Sequence, residues 1–416
     1  MTDIGKLDRV FQHLYRSDAA AQPARYAAAL SAFTAAFGAR SNIRIFSAPG
    51  RSEISGNHTD HQQGRVLAAA VTLDIIAVAS KREDNRICLH SAGYMPMQLS
   101  ARELDMREQE RNTSMALVRG ILAYLKHNGY QIGGFDAYVS SGVPKGSGLS
   151  SSAAYSILIS TILSYLFNNG RIPAVDQALA GKYAENKYFG KPSGLMDQLA
   201  CASGGFVEID FADPEKPRVE RIDCDLEALG YAVCIVNAGG SHANLTPEYA
   251  AVPKEMGEVA ARFGKRYLRE VNEAAFYESL PSLRGNIDDR ALLRAMHFFG
   301  ENERVLAQAN ALRSCDMDTF RRLMLESGRS SFMLLQNVCP TDASERSVAL
   351  ALALTERQLC GKGAWRIHGG GFAGTILALT PLDTVDAYAA EMERVFGDGC
   401  CYRLAVRAAG GVEIQG

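Results

Sequence analysis

The chain has 416 residues, 47% of them hydrophobic and 22% charged, with 44 Lys and Arg against 46 Asp and Glu and a formal net charge of −2. That composition describes a globular protein with a large core, long enough for two domains. It carries no basic footprint for nucleic acid or a membrane surface, so an anionic ligand has to be met by local positive charge.

In chain order, Leu7 to Tyr15 and Ala24 to Phe37 show helical spacing, with Gly38 as a stop. No basic stretch followed by an apolar core precedes them, so no signal peptide is expected. Ile43 to Phe46 alternates as a strand and leads into a polar run, residues 48–64. Val66 to Ile76 and Arg86 to Ser91 read as strands, Asn112 to His127 as a helix, and Phe135 to Val139 as a strand. A Gly- and Ser-rich loop, residues 144–153, then feeds an apolar helix from Ala154 to Phe167. Val175 to Phe189 reads as one helix carrying Glu185, and Gly190 to Gln198 as a turn with Asp197 at the start of another. The charged stretch Asp213 to Arg221 closes a first domain, giving expected units of residues 1–225 and 226–416. The second opens with the strand Ala232 to Asn237, then a helix from Pro247 to Phe263 bearing Tyr249. Helices dominate from Asp288 to Gln358, and a strand (Thr375 to Leu379), a helix (Thr384 to Phe396) and a strand (Tyr402 to Val406) end the chain. Nine scattered cysteines, with no Cys-x-x-Cys, point to reduced thiols in the cytoplasm.

Three stretches carry chemistry. In the first, Gly146, Ser147, Gly148, Leu149, Ser150, Ser151 and Ser152 sit between a strand and a helix. A helix start offers unpaired N–H groups and a positive dipole, which suit a phosphate. The serine hydroxyls can cap the helix, bind phosphate or ligate Mg2+. No Gly-Lys pair precedes Ser or Thr, so the Walker A pattern is absent, as are the protein-kinase motifs. In the second, residues 50–64 crowd Arg51, Glu53, Asn57, His58, Asp60 and His61 between glycines, a density that suits a hydroxyl-rich ligand. A solvated loop and a metal site on His58, Asp60 and His61 are the rival readings. In the third, residues 365–374 contain a formal Gly-x-Gly-x-x-Gly, but a strand follows instead of a helix, so a dinucleotide fingerprint fails. Taken alone, Asp197 reads as a helix-start acid and Glu185 as a solvated helix face.

Residues 144–153 resemble the second motif of the GHMP small-molecule kinases, Pro-x-x-x-Gly-Leu-Ser-Ser-Ser-Ala. Residues 50–61 resemble the galactokinase signature through Gly50, Arg51, Gly56, His58, Thr59 and Asp60. The departures are Glu53 in place of Asn, Ser55 in place of Ile, Asn57 in place of a sugar-contacting Glu, and His61 in place of Tyr. Ala184-Glu185-Asn186 and Gly194-Leu195-Met196-Asp197-Gln198 match further galactokinase patterns. Residues 365–374 resemble the third GHMP motif, with Ala373 where Gly is usual.

The resemblance implies an α+β, two-domain GHMP kinase fold: an N-terminal domain like the second domain of ribosomal protein S5 and a ferredoxin-like C-terminal domain. It implies ATP-dependent phosphorylation of the anomeric hydroxyl of a hexose, most simply galactose. The other readings are a kinase for an N-acetylhexosamine, a uronic acid or arabinose, and a non-catalytic sugar sensor. Asp197 and Arg51 are then the expected catalytic pair. Arg51, Asn57, His58, Thr59, Asp60, Asp197 and Tyr249 are the expected sugar contacts. The loop from Gly146 to Ser152 is the expected ATP cradle, and Ser152 with Glu185 the expected Mg2+ ligands.

Overall fold

The computed structural model describes residues 4–144, 148–240, 245–341 and 344–415. Two helices, α1 (Asp8–Tyr15) and α2 (Gln22–Phe37), precede strand β1 (Ile43–Ser55). That strand is far longer than the alternating run Ile43–Phe46, because the polar signature itself continues it with every residue from Ile45 to Ser55 buried. Pro49 has no N–H to give, and the ladder to β2 (Arg65–Lys81) shifts register between Pro49 and Arg51. The long β2 pairs with β1 along its length and is shared on its other side by two partners.

Strands β3 (Arg86–Ser91) and β4 (Met97–Ser100) lead to helix α3 (Ser114–His127), whose start is capped by the Thr113 hydroxyl. Strand β5 (Phe135–Ser141) then runs into the Gly-rich loop and helix α4 (Ser151–Phe167). Helix α5 (Ala174–Tyr183) does not continue regularly to Phe189 as expected. It loosens into a wide π turn over Ala184–Phe189, a distortion frequent at functional sites. Helix α6 (Met196–Ser203) and strands β6 (Phe206–Asp210) and β7 (Arg218–Ile222) follow. The charged stretch expected to close a domain is therefore partly an edge strand, and its charges suit an edge.

Beyond it come β8 (Tyr231–Asn237), α7 (Thr246–Arg262), α8 (Glu273–Leu283), α9 (Asp289–Arg313), α10 (Met317–Ser330), α11 (Ser347–Leu359), β9 (Ala364–Ile367), β10 (Thr375–Pro381), α12 (Val385–Phe396), β11 (Cys401–Leu404) and β12 (Val412–Ile414). The fold is α+β. Eight strands form one mixed sheet, ordered β12-β1-β2-β5-β3-β4 with β6 and β7 branching from β2. Four more form an antiparallel sheet, β11-β8-β10-β9. Helices α3 and α4 bury Val118, Ile121, Leu122, Ile157, Leu158 and Ile162 against the first sheet. Helices α11 and α12 cover the second through Val348, Ala351, Tyr388 and Met392.

The last strand returns to pair with β1, where Arg44 of β1 chelates Glu413. A buried charge cluster locks that return. Asp74 accepts from Tyr15 (2.6 Å), Arg407 (3.0 Å), Arg25 (2.5 Å) and Ser47. Among the described residues, no helix is long and apolar enough to cross a membrane.

Candidate active site

Arg51 projects from β1 and binds Asp197, in the first turn of α6, through both oxygens, with Nε to Oδ1 and Nη2 to Oδ2 each at 2.7 Å. A forked pair of this kind fixes the carboxylate in plane as well as in place. Burial works against the Arg51 charge, but Asp197 and the nearby Glu53 outweigh it and raise its pKa. The third partner is Ser150, which sits in the left-handed region (φ 56°) as helix α4 begins. Its hydroxyl makes no cap bond and donates instead to Asp197 Oδ2. Arg51 reaches back to the loop as well, its N–H to the Leu149 carbonyl (3.2 Å) and its Nη1 to the Gly148 carbonyl.

Gly148 has φ +73°, and a Cβ there would lie 2.9 Å from His368 Nδ1 and 3.0 Å from Thr375 Oγ1. The Gly-rich loop therefore lies directly on the third motif and the strand that follows it, which only glycine permits. His368 is buried between Ser52 (3.1 Å) and Thr375 (3.0 Å), and burial followed by Arg51 and Arg366 pushes its pKa well down.

The polar signature closes on itself and on the C-terminal half. Asn57 is fully buried. Its amide donates to Glu53 Oε1 (2.9 Å) and the Gly369 carbonyl (2.6 Å), and its oxygen accepts from Asn337 (2.6 Å). The Thr59 hydroxyl bonds the carbonyls of Gly56 (2.8 Å) and Arg65 (2.5 Å). His58 sits at φ 60° with Nε2 at 2.9 Å from the Gly370 carbonyl. A carbonyl only accepts, so Nε2 carries the proton and Nδ1 stays an acceptor. Burial, with His61 next, lowers the His58 pKa to about 4. Asp60 keeps a part-exposed carboxylate turned toward Gly194, where a Cβ would stand 3.0 Å from Oδ2. Tyr249, on α7, donates to the Gly371 carbonyl (2.8 Å) and lies edge-on to Phe372.

A family model for the galactokinase galactose-binding signature matches residues 31–81, and one for the N-terminal domain of GHMP kinases matches residues 116–205. Together they span the segments that supply Arg51, His58, Asp60, Ser150 and Asp197. The chain carries both signatures and is a sugar kinase. It is 28% identical over 376 residues to a galactokinase of Ligilactobacillus salivarius (strain UCC118), covering 89% of this chain and 94% of that protein. Its fold is similar to that of the Lactococcus lactis galactokinase, solved in complex with galactose, with TM-score 0.78, 24% identity, and coverage of 93% and 99% of the two chains. It is also similar to the mevalonate kinase of Methanococcus jannaschii, with TM-score 0.62, 15% identity, and coverage of 88% and 99%.

In this kinase the sequence-expected residues converge unevenly. Arg51, Asp197 and Ser150 meet directly, and Asp60, two residues beyond His58, reaches Gly194, three residues before Asp197. Asn57 and Thr59, expected on the sugar, are instead hydrogen-bonded to the protein on every polar atom that the geometry lets them use. Tyr249 also bonds inward through its hydroxyl. Gly146 and Ser147 lie outside the described residues. Ser151 and Ser152, half-buried on the first turn of α4, line a cavity of about 1050 Å3 together with Tyr94, Met97, Val139 and Tyr155. Its apolar walls went unread in the sequence. The signal was there in the cluster Tyr94-Met95-Pro96-Met97, whose Met95 is 88% exposed.

Ser152 and Glu185, the expected Mg2+ ligands, offer oxygens of a kind that suits the ion. Gly181 of α5 abuts Ser156 of α4. Ser152 lies one turn before Ser156 on α4, and Glu185 one turn beyond Gly181 in the π turn that continues α5. Glu185 is buried and uses Oε2 to accept from Gln198 (3.0 Å), while its Oε1 has no protein partner among the described residues and is not sealed from solvent. One carboxylate oxygen and one hydroxyl are the small protein share that Mg2+ takes when it also holds phosphates and water.

Sequence reasoning also missed a supporting layer on α9. Glu301 is fully buried and accepts from Ser55 (2.9 Å), the Gly56 N–H (3.0 Å), Ser327 (2.6 Å) and Arg304 (2.8 Å). Burial opposes its charge, but Arg304, His297 and Arg366 outweigh burial and hold its pKa far below the usual range. His297 spans Ser330 (2.8 Å) and the Asn57 carbonyl (3.0 Å), and burial lowers its pKa to about 4. Nothing local in the sequence distinguishes these two from other polar residues on a long helix.

Proposed function

We propose that this kinase transfers the γ-phosphoryl group of ATP to the anomeric hydroxyl of a hexose, converting galactose to galactose 1-phosphate. The observation that carries the reading is the Arg51–Asp197–Ser150 cluster, which ties the polar signature, the start of α4 and the start of α6 to one point. The sugar lies between Asp60, His58 and Asp197, and the nucleotide occupies the cavity beside Ser151 and Ser152. The sugar O1 forms a bond to the γ-phosphorus as the bond from that phosphorus to the β–γ bridging oxygen breaks. The electron pair leaves with ADP, and the O1 proton passes to Asp197. Such transfers depend on positioning and charge neutralisation more than on covalent help from the protein. Arg51 stabilises charge that builds on the transferring group. The unpaired N–H groups at the start of α4 face the phosphates. Ser152 and Glu185 are the residues that would hold Mg2+, which supplies further neutralisation of the phosphate charge.

We place the boundary between two domains near residue 225, with β12 returned to the first, and the enzyme in the cytoplasm, where its nine free thiols stay reduced. One observation favours a second reading, a related sugar. The acid that the galactokinase signature carries at position 57 stands at position 53 in this chain. An ATP-consumption assay over galactose, N-acetylgalactosamine, galacturonate and arabinose tests both. Turnover of galactose above the others is the expected result. Turnover of a different member alone replaces galactose, and turnover of none ends the kinase reading.

A further inference from the structure

Glu53 and Asn57 form an inverted pair. The amide of Asn57 is buried and hydrogen-bonded through both of its groups, and it holds Glu53 by one oxygen only, Oε1, at 2.9 Å. Arg366 of β9 approaches the same oxygen with two nitrogens at 3.4 Å while donating to the Ile54 carbonyl at 2.9 Å. The other oxygen, Oε2, has no protein partner among the described residues. Glu53 is only 6% exposed, yet Oε2 is not among its sealed polar atoms, so the small exposed area of this side chain includes it. Leaving such an oxygen without a partner is costly in a protein interior.

The face on which Glu53 stands follows from the strand. Residues 51, 52 and 53 pair in unbroken register with Ala70, Ala69 and Ala68 of β2, so Arg51 and Glu53 stand on one face of β1. Arg51 on that face holds Asp197, and Asp60 on the turn beyond lies close enough to Glu53 to act on its charge.

We propose that Glu53 is a substrate-binding and specificity-determining residue of this enzyme, its Oε2 hydrogen-bonding a ring hydroxyl of the sugar. The inference rests on the sugar-kinase reading above and names the residue that supplies the carboxylate missing at position 57. Burial raises the Glu53 pKa, which Arg366, Arg51 and Asn57 bring down only in part, and it settles at about 7, with Asp60 adding to the rise. Asn57 donates to Oε1, so the proton resides on Oε2. The group facing the sugar is a donor below about pH 7 and a charged acceptor above it. A charged acceptor binds a hydroxyl more strongly, so sugar affinity rises through this range.

The test measures sugar binding directly, without nucleotide, alongside turnover. Three proteins are compared: the parent, Glu53→Gln, and a double variant that exchanges the two residues, Glu53→Asn with Asn57→Glu. The ligands are galactose and its 2-, 3-, 4- and 6-deoxy analogues, from pH 5.5 to 8.5. Glu53→Gln keeps an acceptor for Asn57 and Arg366, and the exchanged pair keeps the hydrogen bond between the two positions, so both should fold. Glu53→Gln is expected to weaken galactose by roughly 10- to 150-fold, the worth of one charged hydrogen bond. The loss should disappear for the one analogue that lacks the contacted hydroxyl, the pH dependence near 7 should vanish, and ATP affinity should not move. The exchanged pair should change the ranking of the analogues. An equal loss on every analogue, or none, with the parent's pH profile retained would overturn the assignment to Glu53 while leaving phosphorylation by the parent intact. A parent that binds the sugars with this Glu53 signature but never consumes ATP would overturn the phosphoryl-transfer reading and uphold Glu53.

Discussion

At the scale of single residues, Asp197 is held at both oxygens by groups from two other segments, so its position is fixed before any sugar arrives. Asp197→Asn preserves shape but removes the proton acceptor and the charge that Arg51 answers. Turnover should fall to the assay floor while ATP binding, measured by titration, stays close to the parent's. Near-normal kcat would remove Asp197 from the chemistry. Arg51→Ala removes a charge-stabilising donor and should lower kcat by roughly 100- to 1000-fold. Ser152→Ala and Glu185→Ala should each raise the Mg2+ concentration needed for half-maximal rate, with sugar affinity little changed. A merely structural Ser152 would instead lower thermal stability and leave the Mg2+ titration alone.

Single elements hold the two halves of the cleft in register. Helix α9 crosses behind the signature and supplies Glu301 to the Ser55 hydroxyl and the Gly56 N–H, and His297 to the Asn57 carbonyl. Glu301→Ala leaves three buried donors and the Arg304 charge without their acceptor, a loss of about 3–5 kcal/mol by the measure of broken buried pairs. Thermal unfolding should show it, together with weakened sugar binding and nearly unchanged ATP binding. The Gly-rich loop depends on Gly148 in the same way. Gly148→Ala adds a methyl group 2.9 Å from His368 Nδ1 at a φ that L-residues disfavour, at about 1–3 kcal/mol of strain. The loop should lift from His368 and Thr375, so kcat should fall more than stability does. Equal kinetics in Gly148→Ala would show that the contact with His368 is dispensable.

At the scale of the whole molecule, pH acts through groups buried in one state of charge. His58 and His297 have their pKa values lowered to about 4, and His368 well below its ordinary value. In the unfolded chain each binds protons near pH 6.5. Their contribution is therefore present above about pH 6.5 and lost as pH falls toward 4. Glu53 works the other way, since its raised pKa gives a contribution present below about pH 4.5 and lost as pH rises through about 7. Three groups outweigh one, so stability should decline from pH 7 to pH 5, by up to about 2 kcal/mol for each histidine over that range. Thermal unfolding at both pH values checks this, and His297→Gln should flatten the decline. A parent equally stable at pH 5 and pH 7 would contradict the neutral burial of these rings.

The sequence alone determined most of the strands and helices and, through its resemblance to the GHMP kinases, the fold class, and its motifs pointed to Arg51 and Asp197, which the structure brings together. Those depend on short-range information: hydrophobic period, Gly and Pro punctuation, and contiguous motifs such as residues 144–153 and 194–198. Only the tertiary structure decided which polar residues of the signature face the cleft. Side-chain direction in a twisted, bulged strand depends on the partner strand and on what lies across it. Thr59 and Asn57 look as ligand-ready as Asp60 until Arg65, Gly369 and Asn337 are seen to bind them. Glu53 was one polar residue among several, and a departure from a pattern, until the strand pairing put it on the same face of β1 as Arg51. Glu301 and His297 lie some 240 residues from the loop they hold. No local rule can tell a buried carboxylate that meets distant donors from one left in water, because the difference is made by the fold that brings the donors to it.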